Sequence, residues 1–316
     1  MIAVVGAGAL GGLFAGLLAE AGEDVVVFTR TADQASRLRE GGLWSSGPGD
    51  APARRVNVRF AGPDDAIAEV ADLALLCVKA RDTAAAVDRI ARLEGAPTVI
   101  VLQNGLGRAQ EVREQLPAAS SRLLGAVTME GATLEGEGRV RHAGRGRTYL
   151  APLLPCARDR AEGVQRRLLR ATLDVHLVAD LDAVVWEKLQ VNAAINALTG
   201  LLGCKNGVLV EAPAARALAQ DAALEVAATA RALEIAGDWS PEASATRWEA
   251  VARATADNVS STLQDLRRGR PTEVFAINGA VARVARERGL SAPVNEAMAR
   301  FVAAAEDVNA LGRRRA

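Results

Sequence analysis

Lys188, Asn192 and Asn196 recur at four-residue spacing in the run Trp186-Glu-Lys-Leu-Gln-Val-Asn-Ala-Ala-Ile-Asn196. At 3.6 residues per turn each step drifts by only about 40°, so a helix carries all three on one face. Asparagine is a mediocre helix former, and two of them beneath a lysine in an otherwise apolar helix form a polar stripe suited to a ligand. The chain has 38 Lys+Arg, of which only Lys79, Lys188 and Lys205 are lysine. A protein so committed to arginine keeps lysine for work that arginine does badly. An ammonium can release a proton, whereas a guanidinium with a pKa above about 12 is a poor donor. The chemistry this implies is proton donation to an oxygen that gains charge, worth about 10²–10⁴-fold as general acid catalysis. His142 and His176 are the only histidines and neither sits in a ligand-like constellation, which leaves Lys188 the leading acid. The bland alternative is a lysine snorkelling at a helix surface.

A second constellation lies at the amino end. Gly6-Ala7-Gly8-Ala9-Leu10-Gly11 follows a short apolar run and opens a helical pattern. The first glycine permits a tight turn, the second lets a pyrophosphate approach the backbone, and the third lets helix and strand pack closely. Its place between a strand at residue 2 and another at residue 24 is the context that a dinucleotide-binding loop requires. The next strand ends Val27-Phe28-Thr29-Arg30 with no carboxylate at its tip. A carboxylate there would accept the ribose 2′-hydroxyl of NAD, whereas Arg30 suits the 2′-phosphate of NADP(H). Asp33 is expected to cap the helix that follows. Lys79, after the run Leu73 to Val78, is a second cation at the same sheet edge. Gln103-Asn104-Gly105-Leu-Gly107 follows the next strand. Asn104 there is a candidate for the nicotinamide or the substrate, or else part of a plain β-to-α turn.

These residues need a scaffold, and the sequence supplies one. Strand signals at Ile2 to Val5, Asp24 to Phe28, Leu73 to Val78 and Thr98 to Leu102 alternate with helical ones at Leu10 to Ala21, Ala32 to Glu40 and Thr83 to Leu93. That alternation predicts a parallel, doubly wound sheet. Glycine-rich strands from about Gly125 to Leu150 are expected as antiparallel additions to it. Beyond Asp180 helical, alanine-rich periodicity dominates. The fold class is therefore an α/β Rossmann-type dinucleotide-binding domain, residues 1–180, followed by a mostly α-helical substrate-binding domain, residues 181–316.

Composition excludes other classes. Lys+Arg and Asp+Glu balance at 38 each, which argues against nucleic acid or an anionic membrane as partner. The run Arg313-Arg314-Arg315 is expected as a solvated tail. Cys77, Cys156 and Cys204 are odd in number and lack metal-ligand spacing, so neither a metal nor a disulfide framework is expected, and a reducing compartment, the cytoplasm, is. Met1 to Gly22 is apolar but lacks the basic start of a signal peptide. The alanine-rich helical half leaves room for a homodimer face.

Taken together, these motifs resemble the ketopantoate reductase (2-dehydropantoate 2-reductase) family along nearly the whole chain. The resemblance is carried by Gly6 to Gly11, Val78-Lys79-Ala80, Leu102 to Gly107, Trp186-x-Lys188-x-x-x-Asn192-x-x-x-Asn196, Asn206-Gly207, Asn258-Val-Ser-Ser261-Thr-Leu-Gln-Asp265, Arg270-Pro-Thr-Glu273 and Ile277-Asn278-Gly279. It implies NADPH-dependent reduction of 2-oxopantoate to pantoate, on the way to pantothenate and coenzyme A. By that resemblance Lys188 is the proton donor, and Asn192, Asn196, Asn206, Asn258 and Ser261 hold substrate, with Asn104 touching both ligands. Glu273 lies near substrate and cofactor, Arg30 and Lys79 near the 2′-phosphate, and the backbone at Ala132 near the nicotinamide half. Taken alone, Glu273 follows Pro271 and suits the first turn of a helix, where a carboxylate meets the positive end of the dipole. Asn206-Gly207 alone suits a turn. Two positions depart from the family pattern: Phe275 stands where many relatives carry an acid, and Glu130 where His or Tyr is frequent. These leave open reduction of another small 2-oxo acid. A non-catalytic nicotinamide-binding sensor would need the glycine loop but not the stripe. A dehydrogenase oxidising a 3-hydroxy acid with NAD should carry an acid in place of Arg30.

Overall fold

The computed structural model describes residues 1–49 and 51–315, with only the backbone of 312–315. The chain divides into two compact units, Met1–Leu181 and Asp182–Ala316. In chain order the first contains β1 (Ile2–Val5), α1 (Ala9–Glu20), β2 (Val25–Phe28), α2 (Ala32–Gly41), β3 (Leu43–Ser46), β4 (Arg54–Val56), β5 (Arg59–Ala61), β6 (Leu73–Leu76), α3 (Thr83–Ala91), β7 (Thr98–Val101) and α4 (Arg108–Gln115). It continues with β8 (Leu123–Thr128), β9 (Gly131–Gly136), β10 (Arg139–Gly144), β11 (Arg147–Pro152), α5 (Arg158–Arg170) and β12 (Asp174–Leu177).

Eight strands form the main sheet in the order β12-β11-β8-β7-β6-β1-β2-β5. β1, β2, β6 and β7 are continuous apolar runs, buried along their whole length, as a sheet covered on both faces requires. β1 pairs in parallel with β2 on one side and β6 on the other. Chain direction across the sheet reverses there, and in such sheets ligands bind outside the carboxyl ends of the strands at that point.

The glycine-rich strands only partly follow the sequence expectation. β8 joins parallel to β7, and β11 adds antiparallel to β8. β9 and β10 leave the main sheet and form a second one, ordered β4-β3-β10-β9. The reason lies in α1, which packs on the main sheet with one face and on β3, β9 and β10 with the other. A Cβ at Gly12 would stand 2.6 Å from Val140 Cγ2, and one at Gly16 would stand 3.6 Å from Ser45 Cβ. The helix has no side chains there, so strands rest on its backbone and burial continues from Gly11 through Gly16.

The second unit is helical: α6 (Asp182–Leu202), α7 (Val208–Glu211), α8 (Pro213–Ala232), α9 (Pro241–Ala254), α10 (Ser261–Arg267), α11 (Asn278–Glu287) and α12 (Pro293–Arg315). α6 is its axis and packs against α8, α9, α10 and α12. Alanines at 194, 197, 219, 222 and 223 are almost wholly buried around it, so the helices approach closely. Trp248 closes that core and donates Nε1–H to Gln220 Oε1 (2.8 Å). The side chains of the terminal arginine run, expected as a solvated tail, lie outside the described residues. No described helix is long and apolar enough to cross a membrane.

Candidate active site

The glycine loop between β1 and α1 has the geometry that its spacing demands. Gly6 has φ +118°, which L side chains rarely adopt, and a Cβ there would meet the Cys77 carbonyl oxygen at 2.8 Å. A Cβ on Gly11 would stand 1.9 Å from the Gly6 carbonyl oxygen, so no side chain fits. At Gly8, the residue preceding α1, an added Cβ meets nothing within 4 Å. Two glycines thus close the loop, and the third leaves backbone open at a helix N-terminus, where N–H groups await an anion. The arrangement fits a dinucleotide pyrophosphate on Gly6, Ala7, Gly8, Ala9, Leu10 and Gly11.

Around that loop the carboxyl ends of neighbouring strands bring further candidates. Arg30 follows β2 with an exposed side chain. Thr31, not Asp33, caps α2 by accepting from the Gln34 N–H (3.2 Å); Asp33 lies in the first turn, where its charge still suits the dipole. Lys79, half-buried, follows β6 and precedes a 3-10 turn. Asn104 is half-buried in the turn after β7, and the positive φ values there fall on Gly105 (+99°) and Gly107 (+71°). Asn104 itself therefore needs no left-handed backbone. Ala132 pairs with His142 across β9 and β10.

Two features of this edge escaped the sequence. Gln103 Nε2 donates to the Val78 carbonyl (3.0 Å) and to Thr83 Oγ1 (2.8 Å), tying the end of β7 to the segment that carries Lys79. Glu130 and His142 form a buried pair at 2.5 Å, Oε2 to Nε2, beside Ala132. The acid at 130 thus has its own partner inside the fold. A buried carboxylate requires one, but no local pattern in the sequence marks Glu130 as buried.

In the second unit the stripe exists. Lys188, Asn192 and Asn196 are each half-buried on α6, while Trp186, Leu189, Gln190, Ala193 to Ile195 and Ala197 to Gly200 are buried. The helix is fixed from behind by Gln190, which donates Nε2–H to the Ala223 carbonyl and Ser244 Oγ, both at 3.0 Å, and accepts from Arg247 at 2.5 Å. Burial lowers the Lys188 ammonium from its ordinary 10.5 to about 8, against the upward pull of the Glu273 carboxylate. Desolvation disfavours the charged form, and a nearby anion opposes it. Lys205, by contrast, makes an exposed ion pair with Asp257 (2.8 Å), so scarcity of lysine did not by itself mark function.

Asn206 and Asn258 are brought together: the Asn206 N–H donates to the Asn258 carbonyl (3.1 Å). Asn206 Nδ2 donates to Thr255 Oγ1 (2.9 Å), and its buried Oδ1 has no partner among the described residues. Gly207 has ordinary helical φ (−60°), and its missing side chain leaves room for Ala256, 2.7 Å from where a Cβ would stand. Close packing, not turn geometry, requires this glycine. Ser261 is exposed at the start of α10. Its neighbour Ser260 caps that helix, accepting from Leu263 N–H (3.2 Å), and lies 2.7 Å from Thr199 Oγ1 of α6. Half-buried Glu273 precedes a single 3-10 turn, Val274–Ala276, with no side-chain cap bond, and α11 starts only at Asn278. The helix expected directly after Pro271 is displaced, so charge near Lys188, and not a helix dipole, is the electrostatic role the geometry gives Glu273.

Residues 2–155 match the family model described as ketopantoate reductase PanE/ApbA, and residues 180–306 match its C-terminal counterpart. A 2-dehydropantoate 2-reductase from Halobacterium salinarum is 34% identical over 305 residues, covering 96% of this chain and 98% of that one. Among solved structures, a PanE/ApbA family ketopantoate reductase from Ralstonia eutropha JMP134 has a TM-score of 0.84 at 28% identity, covering 98% and 99% of the two chains. D-mandelate dehydrogenase in complex with NADH has a TM-score of 0.85 at 25% identity, covering 97% and 99%.

Proposed function

The chain belongs to the ketopantoate reductase family, a family of nicotinamide-dependent oxidoreductases, and from that premise we propose that it reduces 2-oxopantoate (2-dehydropantoate) to pantoate with NADPH, Lys188 being the proton donor. The observation that carries the reading is the ammonium on the α6 stripe, lowered to about 8. It is charged at neutral pH yet close enough to its pKa to give up a proton.

Reduced nicotinamide, when bound, supplies hydride to C2 of the oxo acid. As the C2–H bond forms, the carbonyl π pair moves to oxygen, and Lys188 Nζ stabilises that charge and then transfers its proton to the oxygen. Asn192 and Asn196, one and two turns along, orient the substrate by hydrogen bonds from their amides. Asn206, Asn258 and Ser261 supply further polar contacts, and Asn104 is assigned to the substrate or the nicotinamide. Glu273 keeps Lys188 protonated by charge. Gly6, Ala7, Gly8, Ala9, Leu10 and Gly11 hold the pyrophosphate, and the backbone at Ala132 flanks the nicotinamide. Arg30 and Lys79 select the 2′-phosphate. The cytoplasm is the proposed setting, consistent with three free thiols.

The test is NADPH oxidation with 2-oxopantoate by wild type and Lys188→Ala, with NADPH binding titrated separately. Turnover is expected to fall about 10²–10⁴-fold while NADPH still binds. Undiminished turnover by the variant would remove Lys188 from the mechanism. One observation favours a second substrate: Phe275, 63% exposed, stands two residues after Glu273. An apolar ring beside that carboxylate suits a less hydroxylated 2-oxo acid, and a panel of oxo acids ranked by kcat/KM decides between them.

A further inference from the structure

Two buried titratable groups take no part in the proposed mechanism. The side chains of Glu130 and His142 are only 3% and 5% exposed, and Oε2 lies 2.5 Å from Nε2. They join the two legs of the β9–β10 hairpin at its base. One leg, Thr128 to Ala132, leaves the main sheet at the carboxyl end of β8; the other, His142 to Thr148, returns to it at β11. β8 runs parallel to β7, and β7 to β6, so this base lies at the sheet edge that carries Asn104 and Lys79. Thr128 Oγ1 stands 2.8 Å from Thr148 Oγ1, and the Met129 N–H donates to the Arg147 carbonyl (2.8 Å). A Cβ at Gly146 would lie 2.3 Å from the Met129 carbonyl oxygen, and one at Gly131 would lie 3.0 Å from the Gly144 nitrogen. Backbone thus meets backbone, with no side chain between the legs there.

Farther along the hairpin, His142 pairs with Ala132 and Gly144 with Gly131, so Ala143 is an extra residue on the returning leg. A bulge of that kind bends the strand and re-aims the side chains beside it. The side chain beside this one is His142, and it meets the carboxylate two residues before Ala132. Stability does not account for such a pair, because apolar residues of similar volume commonly serve a core as well or better. A hydrogen bond adds direction, fixing a distance and an angle that apolar contact leaves loose. The backbone it fixes is that of Ala132, which on the proposed reading, on which this inference rests, flanks the nicotinamide. We propose that Glu130 and His142 are positioning residues, whose hydrogen bond holds the Ala132 backbone where it sets the nicotinamide ring against the substrate. A ring displaced by about 1 Å from its reacting geometry slows the step by about 10²-fold.

The test compares wild type with Glu130→Gln and with Glu130→Met combined with His142→Leu. Glutamine keeps an acceptor for the imidazole N–H. The double variant exchanges the hydrogen bond for apolar contact and leaves neither group buried without its partner. Three quantities are read: the NADPH dissociation constant, the fluorescence of bound NADPH, and the single-turnover rate of hydride transfer to 2-oxopantoate. The fluorescence reports the surroundings of the ring and needs no substrate. The double variant is expected to keep a thermal midpoint close to wild type. Its dissociation constant should stay within about threefold, since the glycine loop, Arg30 and Lys79 are untouched, while its emission changes and hydride transfer slows at least about tenfold. Glu130→Gln should keep the wild-type emission, with rate and affinity within about threefold of wild type. Unchanged emission and rate in the double variant would overturn the proposal, as would a Glu130→Gln protein as slow as the double variant. A thermal midpoint that collapses in the double variant would assign the pair to stability and overturn it too. If wild type binds NADPH but reduces no oxo acid, the reductase reading fails, and the emission of the variants still decides the role of the pair.

Discussion

A lysine whose proton is held less tightly than in water leaves a signature in pH. Lys188, at about 8 against an ordinary 10.5, must be protonated to act as an acid. We therefore expect kcat/KM to fall as pH rises through about 8. Because the Glu273 carboxylate pulls this pKa upward, Glu273→Gln should move the alkaline limb to lower pH; a limb left in place would separate the two residues. Stability carries the same information with a definite sign. The folded pKa lies below the unfolded one, so between about 8 and 10.5 the unfolded chain binds the extra proton, and stability rises with pH across that window. The ammonium thus opposes folding most strongly below about 8. Lys188→Met should stabilise the protein at pH 7, and the advantage should vanish toward pH 10.5 in denaturant titrations. The stripe was legible because two asparagines at helical spacing have no business in an apolar helix. The pairing of Glu130 with His142 was not, since β9 and β10 bring them together across a register that no local pattern encodes.

At the scale of elements, alternation of short apolar runs with amphipathic ones carried the α/β class, and uninterrupted helical periodicity carried the helical half. What failed was the choice of partners for β9 and β10. The other strands of their sheet, β3 and β4, have four and three residues, too short for a period-two pattern to register. The overlooked signal was in α1, where Gly12 and Gly16 extend the glycine series beyond anything a phosphate loop needs. Glycine inside a helix costs about 1 kcal/mol relative to alanine, so a backbone surface there must serve packing. Gly12→Leu is accordingly expected to destabilise by about 1–3 kcal/mol, although leucine is the better helix former. Pairing it with Val140→Ala should recover part of the loss, since Val140 Cγ2 is the atom a Cβ at residue 12 would meet. A stabilised Gly12→Leu protein would mean that α1 and the second sheet have slack between them.

For the molecule as a whole, the even charge balance directs attention to small ligands, and the strongest of these is the cofactor. Ligand that binds only the folded chain stabilises it by linkage, about 2.7 kcal/mol at a hundred times its dissociation constant. The glycine loop cannot distinguish NADPH from NADH, because both present the same pyrophosphate. On the proposed reading discrimination comes from Arg30 and Lys79, and Arg30 is the exposed cation at the tip of β2, where no carboxylate stands. A phosphate–guanidinium contact at an exposed site is a charge-assisted hydrogen bond, contributing about 1.5–3 kcal/mol. At equal concentrations NADPH should therefore raise the thermal midpoint more than NADH does. Arg30→Ala should bring the NADPH shift down toward the NADH value while leaving the latter where it was. If both cofactors shift the wild-type midpoint equally, the 2′-phosphate is not being read, and the bare tip of β2 has to be understood as a site that accepts either nucleotide.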